Sequence, residues 1–316
     1  MATSGGAGLS CTLNDLIAEA YELAGAKDLA LQGVDSAIAS SARRSLNMMV
    51  KAWQADGAFI WKHARAWLFL EAGKSRYDLG TTARAVKNAL ATTLHVRGIA
   101  GAVTITPLVL TGIAAGQTVG IGMDAGIIHW TTVAGVGAAA VALATPLPAA
   151  ASVGSPVYAY SPASLLKRPY DVTDVRTLPW PWPAQGSGYA YAMRRLNRDE
   201  YSHASRFLAS GAVPMGWYFE PGRAGGNALH LAWIPAEERA PLELDAREVV
   251  EDFKAGDDEA DFPQEWFMAL AYGLAVHVAE KRGAVDRIER LQAQADFYRA
   301  AASGRDRETH FTFKVP

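Results

Sequence analysis

Cysteine is almost missing from this chain: Cys11 stands alone among 316 residues. A single thiol forms neither an internal disulfide nor a cysteine-based metal cluster, and it suits a chain matured in a reducing cytoplasm. Long apolar runs are missing too. Between Asp124 and Lys167 there is no Lys, Arg, Asp or Glu, yet Gly, Pro, Thr and Ser interrupt the stretch every few residues. No run of about 20 apolar residues is left to span a bilayer, and the stretch predicts β-structure in a soluble protein. Met1–Ser10 has no basic region followed by an apolar run, so no signal peptide is predicted. The net charge of −2 leaves no global basic footprint for tight nucleic-acid binding. Catalytic signatures are absent as well: the sequence contains no HExxH, no GxSxG, no P-loop and no zinc-type Cys/His spacing. No metal and no cofactor are predicted.

What is present can bury a sizeable core. Half of the residues are hydrophobic and a fifth are charged, and a length of this order corresponds to roughly two domains of about 150 residues. Nine Trp and eleven Tyr supply packing aromatics, several of them in Pro-bearing stretches suited to contact surfaces.

Helical patterns occupy the two ends. Thr12 caps a helix over 12–25, with Asp15 answering from the third position and Leu13, Leu16, Ile17, Ala20 and Leu23 on one face. A second helix over 36–56 turns Ile38, Ala42, Leu46, Met49, Val50 and Trp53 inward. Near the C-terminus Pro263 opens a helix that Lys281, Arg282 and Gly283 close. A further helix over 285–302 follows, with Ile288, Leu291, Ala295, Tyr298 and Ala302 aligned. The apolar face around Trp266, Leu270, Gly273, Leu274 and Val278 is broad and needs a partner. The spacing predicts that the four helices form one bundle from both chain ends.

Between them the period changes to two. Trp67–Leu70, a turn at Gly73–Lys74 and Tyr77–Gly80 predict a hairpin. Val103–Ile105, Val119–Ile121, Ile127–Val133, Val141–Leu143 and Val157–Tyr158 predict a small inserted barrel or sandwich. Met193–Phe207 suggests a short helix, Trp217–Glu220 and Ala228–Pro235 two strands, and Leu242–Val250 a last strand. Leu178–Pro183 alternates Pro with Trp180 and Trp182, which predicts a stiff contact loop. The fold class is therefore α+β: a bundle from both ends, a β-rich middle and an inserted small barrel-like domain. The layout is 1–66, 67–97, 98–158 (the insert), 159–250, 251–303 and a tail, 304–316.

Chemistry-bearing groups are few. His277 and Glu280 lie one helical turn apart, half of a metal motif that lacks its other half. Asp257, Asp258, Glu259 and Asp261 could furnish a glycosidase pair, although carboxylates before a helix ordinarily serve its dipole. Gly222–Gly226 lies between strands, the wrong place for a phosphate cradle. Arg43, Arg44 and Lys51, and Arg194 with Arg195, form small basic clusters open to weak, sequence-blind DNA contact. In the tail Phe311, Phe313 and Val315 recur at period two and would share one strand face.

In order along the chain, Thr12–Gly25, Arg44–Trp53 closed by Gly57, Phe69–Gly73 with Tyr77–Leu79, Trp233-Ile234-Pro235, and Phe262-Pro263-Gln264-Glu265-Trp266 through Ala269-Leu270 to Gly273-Leu274-Ala275 make a pattern. It resembles the head-to-tail adaptor proteins of short-tailed (podovirus-type) bacteriophages, the tail accessory factor or packaged-DNA stabilisation family. The stretch Gly112–Gly116 through Gly120–Asp124 to Trp130–Val133 is similar to the small β domain of longer members. The resemblance covers most of the chain and implies structural work, not catalysis. Members form a ring, usually of twelve subunits, beneath the portal of a DNA-filled head, where they extend the DNA channel, help to retain DNA and seat the tail. It implies a virion location at the head–tail interface, the host cytoplasm during assembly, and no membrane and no cofactor. The partners are the portal protein, tail nozzle or fibre proteins, further copies of the chain, and double-stranded DNA passing through without sequence reading. Portal docking falls to the tail, with Arg305, Arg307, His310, Phe311, Phe313 and Val315. Contact with tail proteins falls to Trp180 and Trp182, and DNA-channel contact to Arg43, Arg44 and Lys51. The alternative from the residues is a tail-associated peptidoglycan hydrolase or a carbohydrate-binding module.

Overall fold

The computed structural model describes residues 9–25, 36–56, 62–178, 191–204, 214–222, 226–236, 238 and 241–305. The fold is α+β. Among the described residues the helices are α1 (Leu13–Leu23), α2 (Ser36–Ala55), α3 (Arg198–Ala204), α4 (Phe267–Arg282) and α5 (Val285–Arg305). The chain divides into two compact units, 1–62 with 249–316 and 63–248.

The first unit is the bundle from both chain ends. Local chemistry starts α1: the Thr12 hydroxyl accepts from the Asp15 N–H, while the Asp15 carboxylate accepts from the Thr12 N–H at 2.9 Å and its hydroxyl at 2.6 Å. A 3-10 turn at Gln264–Trp266 follows Pro263 and leads into α4. Gly283 ends α4 with φ 72°, the left-handed conformation open to a residue without a Cβ. Leu270, Ala271, Gly273, Leu274, Val276 and Val278 are all buried on α4, so it is apolar nearly all round. That suits its place, packed against α1, α2 and α5 at once. Trp53 and Trp266 meet with ring centroids 5.9 Å apart. A Cβ on Gly273 would lie 2.5 Å from the Met49 Sδ, so the glycine permits this close approach of α4 to α2.

The second unit contains a two-sheet sandwich. One sheet orders its strands Tyr191–Ala192, Pro169–Thr177, Leu242–Glu248, His63–Leu68 and Ala85–Val86; the other runs Arg194–Arg195, Gly216–Glu220, Ala228–Ala232 and Arg76–Asp78. Leu68, Val175 and Leu244 from the first share an apolar cluster with Tyr77, Trp217 and Leu229 from the second. This corrects the expected hairpin. His63–Leu68 pairs with Leu242–Glu248, and Arg76–Asp78 pairs with Ala228–Ala232, so the turn at Gly73 carries the chain from one sheet to the other. The alternating pattern was that of two strands facing one core, not of two strands bonded together. The helix expected from Met193 is also shorter. Arg194–Arg195 pairs with Gly216–Trp217, and α3 starts only after Asn197, whose side-chain oxygen accepts the Glu200 N–H at 2.8 Å.

The same unit carries a six-stranded sheet, in the order Leu90–Thr93, Pro156–Tyr160, Thr118–Gly122, Ile128–Val136, Val141–Leu143 and Thr104–Ile105. Its two edges come together. Leu94 bridges Pro107, the His95 N–H reaches the Thr106 carbonyl at 2.8 Å, and the Leu108 N–H reaches that of Thr93 at 2.8 Å. The result is a small barrel filled by Leu94, Ile105, Val119, Ile121, Val133 and Val157. It begins at Leu90 and not at residue 98, because Leu90–Thr93 pairs with Pro156–Tyr160.

Candidate functional site

Arg43, Asn47 and Lys51 stand four residues apart on α2, hence on one face. The segment after Glu248 runs along that face. Lys51 donates to the Val250 carbonyl at 2.6 Å and pairs with Asp252 at 2.9 Å. The Asn47 amide acts like a strand edge: its Nδ2 donates to the Phe253 carbonyl at 3.0 Å, and its Oδ1 accepts the Phe253 N–H at 3.1 Å. Arg43 donates to the Lys254 carbonyl. Two of the three cations assigned to DNA contact thus hold the chain's own backbone, and the third, Arg44, faces solvent.

The acidic run is engaged in the same way. Asp258 accepts the Lys254 N–H at 2.6 Å and the Ala255 N–H at 2.8 Å. The bonds from Ala255 and Lys254 hold its carboxyl below the usual range. Asp261 pairs with Lys62 and accepts the Glu251 N–H at 3.2 Å. Asp257 faces Asn14 at 3.4 Å, and Glu259 bridges the backbone of Thr12. These carboxylates brace a loop against the start of α1; each faces its own partner. Beside them lies a shallow groove of about 700 Å³ lined by Leu9, Cys11, Glu259, Phe262, Pro263 and Phe267, among others. Burial, with Asp15 and Glu19 nearby, pushes the Cys11 thiol up, which keeps it protonated and unreactive. His277 and Glu280 form an exposed pair at 3.6 Å. Among the described residues no cluster of three or more His, Cys, Asp or Glu could hold a metal, and no helix is long and apolar enough to cross a membrane.

Sequence reasoning missed the joint between barrel and sandwich. Phe69 is fully buried there, 4.9 Å from Trp130, 4.8 Å from Tyr158 and 6.0 Å from Tyr160, centroid to centroid. The Arg84 guanidinium lies 4.4 Å over the Trp130 ring and 3.3 Å from Glu71. Glu238 takes the Ala72 N–H at 3.1 Å with one oxygen and the Ile128 N–H at 2.9 Å with the other, so a single carboxylate fastens a sandwich loop to the barrel. No pattern announces it, because both donors are backbone groups. Just before it Trp233 adopts φ 69°, a conformation that costs a bulky residue roughly 1–2 kcal/mol. A second aromatic group, Tyr201, Tyr218 and His230, stacks beside the strand Gly216–Glu220. Arg195 there lies 5.2 Å over Trp217 and pairs with Asp171 at 3.1 Å.

Trp180, Trp182, Arg307, His310, Phe311, Phe313 and Val315 lie outside the described residues, as does the side chain of Arg305. Comparison with protein-family models and with curated proteins gives no match.

Proposed function

We propose that this chain is a structural virion protein, a head-to-tail connector adaptor. In that role it assembles as a ring, of twelve copies on the family pattern, beneath the portal. There it extends the DNA channel, helps to retain packaged DNA and seats nozzle or fibre proteins. One observation carries most weight: both chain ends meet in one helical unit, and the C-terminal residues follow directly from its 21-residue α5. A rigid bundle with its terminus delivered at the end of a long helix suits an anchor that grips a neighbour with an extended tail. The bundle supplies the fixed body of the subunit, and Phe311, Phe313 and Val315 supply the apolar side chains of the tail.

Arg44, exposed on α2, is the cation of the predicted set left to face passing DNA. Such contact is with phosphate and without sequence reading. The hydrolase reading loses support, because Asp258 and Asp261 hold backbone N–H groups in place of facing each other across a cleft.

The test is electron microscopy of the purified chain mixed with portal particles from the same virus. The expected image is an added ring below the portal, lost on truncation after Gly304 while the melting temperature stays within a degree or two. Portal particles that remain bare with the full chain would overturn the reading. Normal docking of the truncated chain would remove the tail as anchor.

A further inference from the structure

The barrel is nearly free of charge. Residues 88–166 contain two charged side chains, Arg97 and Asp124, in a chain that has 30 Lys and Arg and 32 Asp and Glu. Asp124 is partly engaged, accepting the Ser152 N–H at 2.8 Å. The outside of this barrel is also aliphatic: Val96, Ile99, Val103, Leu108 and Val153 are 51, 67, 55, 56 and 63% exposed. They stand on segments that lie side by side. Residues 94–103 bond to Ala151 through Gly98 and to Gly154 through Leu94 on one flank, and to Thr106 through His95 on the other. Single exposed aliphatics need no explanation, but several on adjoining uncharged segments mark an interaction face.

Three kinds of occupant fit this face poorly. Strand addition needs an open edge, and the barrel's edges are joined through Leu94 and Pro107. A bilayer surface calls for Trp, Tyr, Lys or Arg around the aliphatic residues; Arg97 is the lone cation of the barrel, and Trp130, Tyr158 and Tyr160 pack inward with Phe69. A charged protein surface would lose its hydration against the barrel and gain no counter-charge. An uncharged aliphatic surface is matched best by another of the same kind, and this chain carries one on every copy. We propose that the exposed face around Val96, Ile99, Val103 and Leu108 packs against the barrel of a second copy of this chain. Self-matching faces are what closed symmetric assemblies require. The contact deepens the ring reading above and rests on it only for the number of neighbours.

The experiment uses the full chain without portal, in sedimentation velocity across a concentration series. Ile99→Lys, Val103→Lys and Leu108→Lys are combined in one variant, and Ile99→Ser, Val103→Ser and Leu108→Ser in a second, so that a folding defect of the first cannot hide the result. Val285→Lys, at a 73% exposed position on α5, is the control. The wild type is expected to self-associate, both triple variants to weaken association at least 30-fold with unchanged circular dichroism, and the control to behave as wild type. Equal association of a folded triple variant and the wild type would overturn the proposal, as would a wild type that stays monomeric throughout. Flotation of the wild type, but not the variants, with neutral phosphatidylcholine vesicles would overturn it in favour of a lipid surface. Portal binding is scored separately. A wild type that associates through its barrels yet ignores the portal removes the adaptor reading and leaves this contact standing.

Discussion

Replacing Trp266 by Ala tests the bundle at its centre. The indole is 1% exposed and packs against Trp53 at 5.9 Å and Phe262 at 6.1 Å. A tryptophan buries about 150–250 Å², which at about 25 cal/mol/Å² sets an upper bound of roughly 4–6 kcal/mol. Partial collapse of the site around the smaller residue brings the expected loss to about 3–5 kcal/mol. The natural assay is urea unfolding followed by far-ultraviolet circular dichroism, since α1, α2, α4 and α5 of the first unit dominate the helical signal. With a slope of about 1.5 kcal/mol/M, the midpoint should fall by roughly 2–3 M. The cycle with Trp53→Ala should return a coupling of about 0.5–1.5 kcal/mol for the ring pair. A loss below about 1 kcal/mol for Trp266→Ala would mean that the two chain ends do not share a core.

The paired amide contact makes Asn47→Ala costly, at about 1–3 kcal/mol in the same assay, because the Phe253 N–H and carbonyl lose their partners together; a neutral result would show water replacing the amide at no cost. Asp15 and Asp258 both have carboxyls lowered in the fold, the first chiefly by the Thr12 hydroxyl and the second by the Ala255 and Lys254 N–H groups. Their contribution is present above the unfolded carboxylate value, near pH 4, and is lost as pH falls through the lower folded values. Asp258→Asn should therefore flatten the melting temperature between about pH 4 and pH 2, and an unchanged acid slope would reject the assignment. Glu238→Gln keeps one acceptor but turns the other end of the latch into a donor, so hydrogen exchange at the Ala72 or Ile128 amide should quicken at least tenfold. Excision of residues 98–158 should give an insoluble product, because it leaves Leu90–Thr93 unpaired and exposes Phe69; a soluble, folded remainder by size-exclusion chromatography would contradict that.

Signals confined to a few neighbouring residues were legible. Thr12 with Asp15, and Lys281-Arg282-Gly283, announce the ends of α1 and α4 because capping involves residues one turn apart. The breadth of the α4 apolar face predicted that several helices surround it, and three do. Strand positions were legible from alternation, as at Ile127–Val133 and Trp217–Glu220, but strand partners were not. Period two records which side of a strand is buried and is silent on the neighbour that bonds it, so the Gly73 turn was taken for a hairpin. The cations failed in a related way. Arg43 and Lys51 are visible as charges, whereas the carbonyls of Lys254 and Val250 that they bind are groups every residue owns. The Glu238 latch is hidden for the same reason.

The ladder between His63–Leu68 and Leu242–Glu248 places His63 opposite Arg247, so the β unit begins and ends at adjacent points. That arrangement sets a timetable for synthesis. The ribosome releases α1 and α2 first, and at about 5–20 residues per second the following β unit occupies roughly ten to forty seconds. Throughout that interval Leu16, Leu46 and Trp53 wait for a helix that has not yet been translated. The β unit has both of its ends already side by side and can fold on emergence, which brings the nascent N-terminus back beside the point from which α4 and α5 will arrive. A ribosome stalled just after Glu248 should therefore display a protease-resistant β unit bearing a protease-sensitive N-terminal arm.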